Sequence, residues 1–306
     1  MRRTLDLGRG KHLLKAIGVS ALIQIFCMVS FAAYVPGEIY SGTDGSLVTV
    51  EEVVNKVTPG SVVFFGELHN QPKIKDAQLK ILQLLKKKYK TLNVGMEFFA
   101  YSDQKQVNSY RMGLLAESDF LSAVKWGSYD FSNYRDQVLL PSKLEAKTLA
   151  LNAPRSLTSK IAQTGLESLS DSEVGLMPPD FTLGNDDYYM RFRSLMADHV
   201  TDPTDLKNYF IAQSTWDDTM AWQIVEFFKN KPDRILFVIV GEFHVQYGGG
   251  LPDRVKARSE EAGVGLKQLS ISSVALNGLS AEEQNTEVLP SSDFGQRADY
   301  VWTFQF

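Results

Sequence analysis

The chain has 306 residues, 44% of them hydrophobic and 22% charged, with a net charge of −4, a balance that excludes disordered and fibrous classes. That length has room for one large α/β domain or two small ones around a sizeable core. An acidic balance without basic stripes argues against nucleic acid as the main partner, because phosphate neutralisation needs clustered Lys and Arg.

In chain order, Arg2, Arg3, Arg9, Lys11 and Lys15 come first, followed by a nearly unbroken apolar stretch from Ala16 to Phe31. Ser30-Phe31-Ala32 then has the small-residue spacing of a signal-peptidase site. Residues 1–32 are therefore expected to be a signal peptide and 33–306 a single domain exported to the periplasm. Anchoring through residues 16–33 is the other reading. Without residues 1–32 the chain keeps 27 basic and 35 acidic residues, a net charge of −8. Cys27 is the only cysteine and would leave with the signal, so any metal must be held by His, carboxylate or Tyr.

Residues 34–46 show no periodicity and are expected to run along the surface; 46–57 reads as a short strand and a helix. Ser61 to Phe65 is a core strand, and Asn70-Gln71-Pro72 opens a helix with apolar positions Ala77, Ile81, Leu84 and Leu85. Thr91 to Met96 is a second strand ending at Glu97. Helical patterns occupy parts of 104–145, including Asp119 to Lys125 and Tyr134 to Leu144. Leu149 to Asn152 is a third strand, and Pro154-Arg155 leads into a helix running to Thr164. Ser170 to Gly184 reads as loop, then Asp186 to Ala197 and Thr215 to Asn230 as helices, with Asp217 and Asp218 as helix-start acids. Arg234 to Val240 is the fourth strand, Pro252 to Ala262 a helix, and Leu266 to Ile271 a strand. Residues 277–297 read as a surface loop and Val301 to Phe304 as an edge strand. Strands alternating with helices imply an α/β fold, a mainly parallel central sheet flanked by helices with right-handed crossovers. Residues 170–230 are expected to form a helical insertion, a lid over the carboxyl edge of the sheet.

One short segment occurs twice: Phe64-Phe65-Gly66-Glu67-Leu68-His69 and Ile239-Val240-Gly241-Glu242-Phe243-His244. A continuous apolar run precedes each copy, as in a strand buried on both faces. The glycines are expected to mark the turn out of the sheet, so acid and imidazole sit where open α/β sheets place ligands. Glu97 and Arg155 arrive at the same edge from other strands. Glu67, His69, Glu97, Glu242 and His244 are thus candidates for a divalent transition metal site, or for acid–base catalysis with a carboxylate orienting each imidazole. Arg155 suits a carboxylate or phosphate. His199 lies in the expected lid. The glycines at 248–250 are a weak phosphate-loop signal.

In the stretches Gly66-Glu67-Leu68-His69, Val94-Gly95-Met96-Glu97-Phe98-Phe99, Tyr134-Arg135, Leu151-Asn152-Ala153-Pro154-Arg155, Ala212 to Ala221 and Gly241-Glu242-Phe243-His244-Val245, the chain resembles the ChaN-like haem-binding uptake family of the wider Tiki and erythromycin-esterase superfamily. The resemblance spans about residues 61–254. It departs at Glu242, where a smaller or amide residue is expected, and in the absence of a lipobox. It implies an exported haem- or iron-binding protein linked to uptake, with membrane-associated uptake machinery as partner and haem held between two subunits of a homodimer by tyrosine. His69, Arg155, Tyr134, His199 and His244 are then candidates for contact with haem or another small molecule; Tyr101, Tyr188 and Tyr189 are further tyrosines able to ligate iron. The alternative is a hydrolase of the superfamily using Glu67, His69, Glu97, Glu242 and His244.

Overall fold

The structure, a computed structural model, describes residues 33–306; the expected signal peptide, Cys27 included, lies outside the described residues. The strands are β1 (Ile39–Ser41), β2 (Leu47–Val48), β3 (Ser61–Glu67), β4 (Leu92–Ala100), β5 (Thr148–Asn152), β6 (Ile235–Gly241), β7 (Lys267–Ala275) and β8 (Tyr300–Phe304). The helices are α1 (Val50–Lys56), α2 (Pro72–Lys88), α3 (Gln104–Arg111), α4 (Glu117–Ala123), α5 (Arg135–Leu139), α6 (Arg155–Thr164), α7 (Asp171–Val174), α8 (Asp186–Met196), α9 (Pro203–Asn230), α10 (Leu251–Glu261) and α11 (Ala281–Val288). All strands join one sheet in the order β2-β1-β8-β7-β3-β6-β4-β5. From β8 to β5 every neighbouring pair is parallel, while β1 is antiparallel to both β8 and β2. The α/β class with a mainly parallel sheet is therefore as the alternation of elements implies.

Successive side chains of a strand point to opposite faces, and the two inner strands divide their apolar residues accordingly. Val63 and Phe65 of β3 pack with Phe237 and Ile239 of β6 against Ile74, Ile81 and Leu85 of α2. Val62, Phe64, Leu236, Val238 and Val240 face Met220, Ile224 and Phe228 of α9 and Val255 of α10. Burial on both faces explains why β3 and β6 are unbroken apolar runs.

Four departures from the sequence reading have physical causes. The carboxyl half of residues 170–230 is α9, which buries Met220, Ala221, Ile224, Val225 and Phe228 on the sheet. Its start is Pro203, where Asp202 accepts the Thr204 and Asp205 N–H groups as N-cap. Tyr300–Phe304 is an interior strand, because residues 39–41 pair onto its outer side. The stretch 277–297 contains α11, opened by a Ser280–Glu283 capping box. Finally, Gly66 and Gly241 remain within their strands, and the chain turns instead at Asn70, which has φ 60° and belongs to a residue type that tolerates the left-handed region. Among the described residues no helix is long and apolar enough to cross a membrane.

Candidate functional site

Register brings the two halves together. Strands β3 and β6 are parallel neighbours, with Gly66 opposite Val240 and Glu67 opposite Gly241. Both histidine-bearing turns therefore leave the sheet side by side at its carboxyl edge. On the far side of β6, the pairing of β4 with β5 shifts register between Met96 and Ala100. A bulge of this kind re-aims a side chain; here Glu97 reaches across to accept the N–H of Gly241 at 2.5 Å. A Cβ on Gly241 would stand 3.0 Å from His69 Nε2 and 3.5 Å from Glu97 Oε2. That position needs glycine for space.

Each imidazole is gripped from behind by a buried carboxylate. Glu67 Oε1 lies 2.9 Å from His69 Nδ1 and accepts the Tyr134 hydroxyl at 2.8 Å. Its other oxygen accepts Gln78 Nε2 at 2.6 Å, and Gln78 is held in turn by Gln137. On the other side, Asp217 Oδ1 lies 2.6 Å from His244 Nδ1, while its Oδ2 accepts the Tyr188 hydroxyl at 2.7 Å. Gln213 donates to the Tyr188 oxygen and lies against the His244 ring. A carboxylate on Nδ1 fixes the ring and directs Nε2 forward. The two rings thus aim Nε2 at one space, with Glu97 Oε1 3.6 Å from His244 Nε2.

These partners set the protonation of the rings. Burial is the largest influence on His244 and pushes its pKa down. The Asp217 and Glu97 charges and the Asp217 hydrogen bond outweigh it, raising the imidazole from 6.5 to about 9. At neutral pH His244 is therefore an imidazolium. His69 follows the same logic: burial lowers its pKa, but the Glu67 hydrogen bond and the Glu97 and Glu67 charges carry it above its ordinary value.

In front of the rings lies a crevice of about 850 Å³ lined by His69, Glu97, His244, Phe98, Trp126, Tyr129, Trp216, Arg155 and residues around them. Drug-sized ligands occupy pockets of about 300–1,000 Å³. One wall is the loop after α4, pinned by Trp126, whose ring packs on Phe98, Phe99, Phe131 and Tyr134. The Trp126 indole also donates to the Tyr129 carbonyl. Tyr129 is 38% exposed and sits 5.3 Å from the His69 ring, centroid to centroid. Lys125 and Arg155 stand exposed on the rim beside Asp103, and Arg155 has no ion-pair partner among the described residues.

The structure brings Glu67, His69, Glu97, His244 and Arg155 to this edge, with Glu67 behind the wall and the others on it. Glu242 is not among them. Its carboxylate turns back between β3 and β7, accepting Ser272, the Ser273 N–H and Arg297. Tyr134 is fully buried under Glu67 and offers no open oxygen. His199 is exposed beyond α8 and lines no part of the crevice. Among the described residues no group of three or more His, Cys, Asp or Glu side chains could hold a metal ion. The reason is geometric: both Nδ1 atoms and both Glu67 oxygens are engaged inward, and Glu242 faces away. Asp217, Gln213, Tyr129, Trp126 and Trp216 are the site residues the sequence reading missed. A helix begun at Asp202-Pro203 would have put Asp217 mid-helix, where a buried acid demands a partner.

No curated protein matches the chain. The solved structure "Cofacial heme binding to ChaN of Campylobacter jejuni" aligns with a TM-score of 0.62 and 17% identity, covering 86% of this chain and 95% of that one. An erythromycin esterase in its open conformation aligns with a TM-score of 0.48 and 11% identity, covering 87% of this chain and 97% of its own. The first of these likenesses supports the fold alone. The sequence profile described as haem-binding uptake, Tiki superfamily, ChaN matches residues 53–255, well over half of the chain. The chain belongs to that family.

Proposed function

We propose that the carboxyl-edge crevice binds haem, and that the protein serves haem or iron uptake outside the cytoplasm. The observation that carries this reading is the make-up of the crevice wall. Phe98, Trp126, Tyr129 and Trp216 offer aromatic surface to a flat apolar ring, while Arg155 and Lys125 stand at the rim for its carboxylates. Tyr129 is the open phenol on that wall, and tyrosine and histidine are both known ligands of haem iron. Burial, then the charges of Glu97 and Glu67, raise the Tyr129 pKa, so its phenol ionises only against a cation such as ferric iron. In this reading Tyr129 is the ligand and His69 its neighbouring proton donor. The haem itself supplies the iron; the chain holds, orients and shields it.

Haemin titrated into purified protein should give a Soret band that saturates at a fixed stoichiometry. Replacing Tyr129 with Phe should shift that band and weaken binding at least about tenfold, the loss expected of one strong ligand interaction. A flat titration in the wild-type protein would reject the proposal. Export is part of it: amino-terminal sequencing of protein secreted by an expressing cell should begin after Ala32, and recovery of intact Met1 would contradict that.

The paired carboxylate–imidazole units favour a second reading, hydrolysis by an activated water. It is the weaker one, because a general base must be unprotonated at its working pH and His244 is raised to about 9. Glu97 would have to take the proton. Loss of ester hydrolysis in Glu97→Gln with an unchanged haemin titration would favour this reading over the first.

A further inference from the structure

Behind His244 lies a second polar cluster that plays no part in the crevice. Its centre is Arg191 of α8, only 8% exposed. The guanidinium lies over the rings of Tyr188, Phe243, Tyr247 and Phe294, 5.2, 5.6, 5.2 and 5.9 Å from their centroids. It forms no ion pair among the described residues, and its Nε and Nη1 are buried without hydrogen-bond partners. The neighbouring charges are all matched elsewhere. Arg297 is met by Glu242 and Glu287, Arg254 by Asp253, and Asp217 by His244 and Tyr188. A buried, unmatched cation is costly, and aromatic faces compensate only part of that.

The uncompensated guanidinium rests on the glycine turn that opens α10. A Cβ on Gly249 would collide with Arg191 Nη2, and one on Gly250 would stand 3.1 Å from the Tyr188 hydroxyl. Gly250 is the N-cap of α10 and has no side-chain cap bond. Gly249 and Gly250 are both buried, and the first N–H groups of a helix have no partner within it. Buried N–H groups are almost always paired. A helix start carries a partial positive charge, and unpaired N–H groups together with a free guanidinium make an anion site.

We propose that Arg191 and the Gly248–Gly250 turn at the start of α10 bind the oxyanion of a phosphate group, at a site separate from the haem crevice. Gly248, exposed beside the two buried glycines, gives the anion its approach. The ligand supplies the charge that Arg191 lacks and an acceptor at the start of α10, where the first helical N–H groups have none within the helix. A guanidinium and a helix start present donors in different directions, which suits a tetrahedral oxyanion better than a planar carboxylate.

The test is calorimetric titration of the full chain with inorganic phosphate, with methyl phosphate and with acetate, in low-salt buffer free of other oxyanions. Wild-type protein should bind inorganic phosphate saturably and more tightly than acetate. Equal binding of methyl phosphate assigns the site to a phosphate monoester, and binding of inorganic phosphate alone assigns it to the free ion. Arg191→Gln should weaken binding at least about tenfold, the loss of one charge-assisted hydrogen bond. Gly249→Ala, which displaces the flexible end of Arg191 and leaves its charge in place, should do the same and guards against a failure of the first variant to fold. No saturable binding of either phosphate by the wild type, acetate binding as tightly as phosphate, or undiminished binding by either folded variant overturns the proposal. Haemin absorption is read separately, so failure here leaves the crevice reading intact.

Discussion

At the scale of single residues, the account turns on which carboxylates stand behind the two imidazoles. Glu67 lies inside its motif and was legible from the sequence beside His69. Asp217 was not, because it reaches His244 from a helix that seemed to begin later than it does. Glu242 misled for a different reason. Both copies read Gly-Glu-x-His, but Glu67 pairs across the sheet with Gly241, and Gly66 with Val240. The copies are thus out of step by one residue, and one residue is enough to send a side chain to the opposite face. Replacing Asp217 with Asn should lower the His244 pKa from about 9 toward neutrality, read by NMR titration of the imidazole. Loss of one member of a buried pair should also cost about 3 kcal/mol in chemical denaturation. An unchanged His244 titration would remove Asp217 from its assigned role.

Among the elements, the loop between α4 and α5 forms one wall of the crevice. The sequence reading placed a cover in residues 170–230, because the interval between the third and fourth strands is too long for one crossover. The carboxyl half of that stretch is α9, which buries apolar positions on the sheet and brings Trp216 to the crevice, while another wall is a short loop that carries no periodic signal. What fixes that loop is Trp126, wedged among Phe98, Phe99, Phe131 and Tyr134. Trp126→Ala should cost about 3 kcal/mol of stability, as removal of a large packed aromatic does. It should also weaken haemin binding, because Tyr129 loses its support. If stability falls and haemin affinity does not, the loop is not part of the site.

On the scale of the whole molecule, the strands and helices of the inner sheet were legible because burial on both faces writes itself as continuous apolar runs. The edge was harder: β1 has three residues, too few for periodicity to register, although β2 falls within the short strand expected in 46–57. The sheet also sets a pH dependence for the fold. His244 is raised from 6.5 to about 9, so its stabilising proton is fully present below 6.5 and lost as pH rises through 9. Glu242 is raised from 4.5 to about 7 by burial, which outweighs Arg297; it favours the folded state most below 4.5 and loses that contribution as pH rises through 7. Both act in the same direction. The melting temperature should therefore fall between pH 6.5 and 9, and His244→Asn should flatten the upper part of that fall; a melting temperature that rises over this range would refute the assignment. The most direct test of the central claim is an anomalous difference map at the iron edge from crystals grown with haemin. The account predicts an iron peak in the crevice beside Tyr129 and His69; a peak elsewhere on the molecule would contradict it.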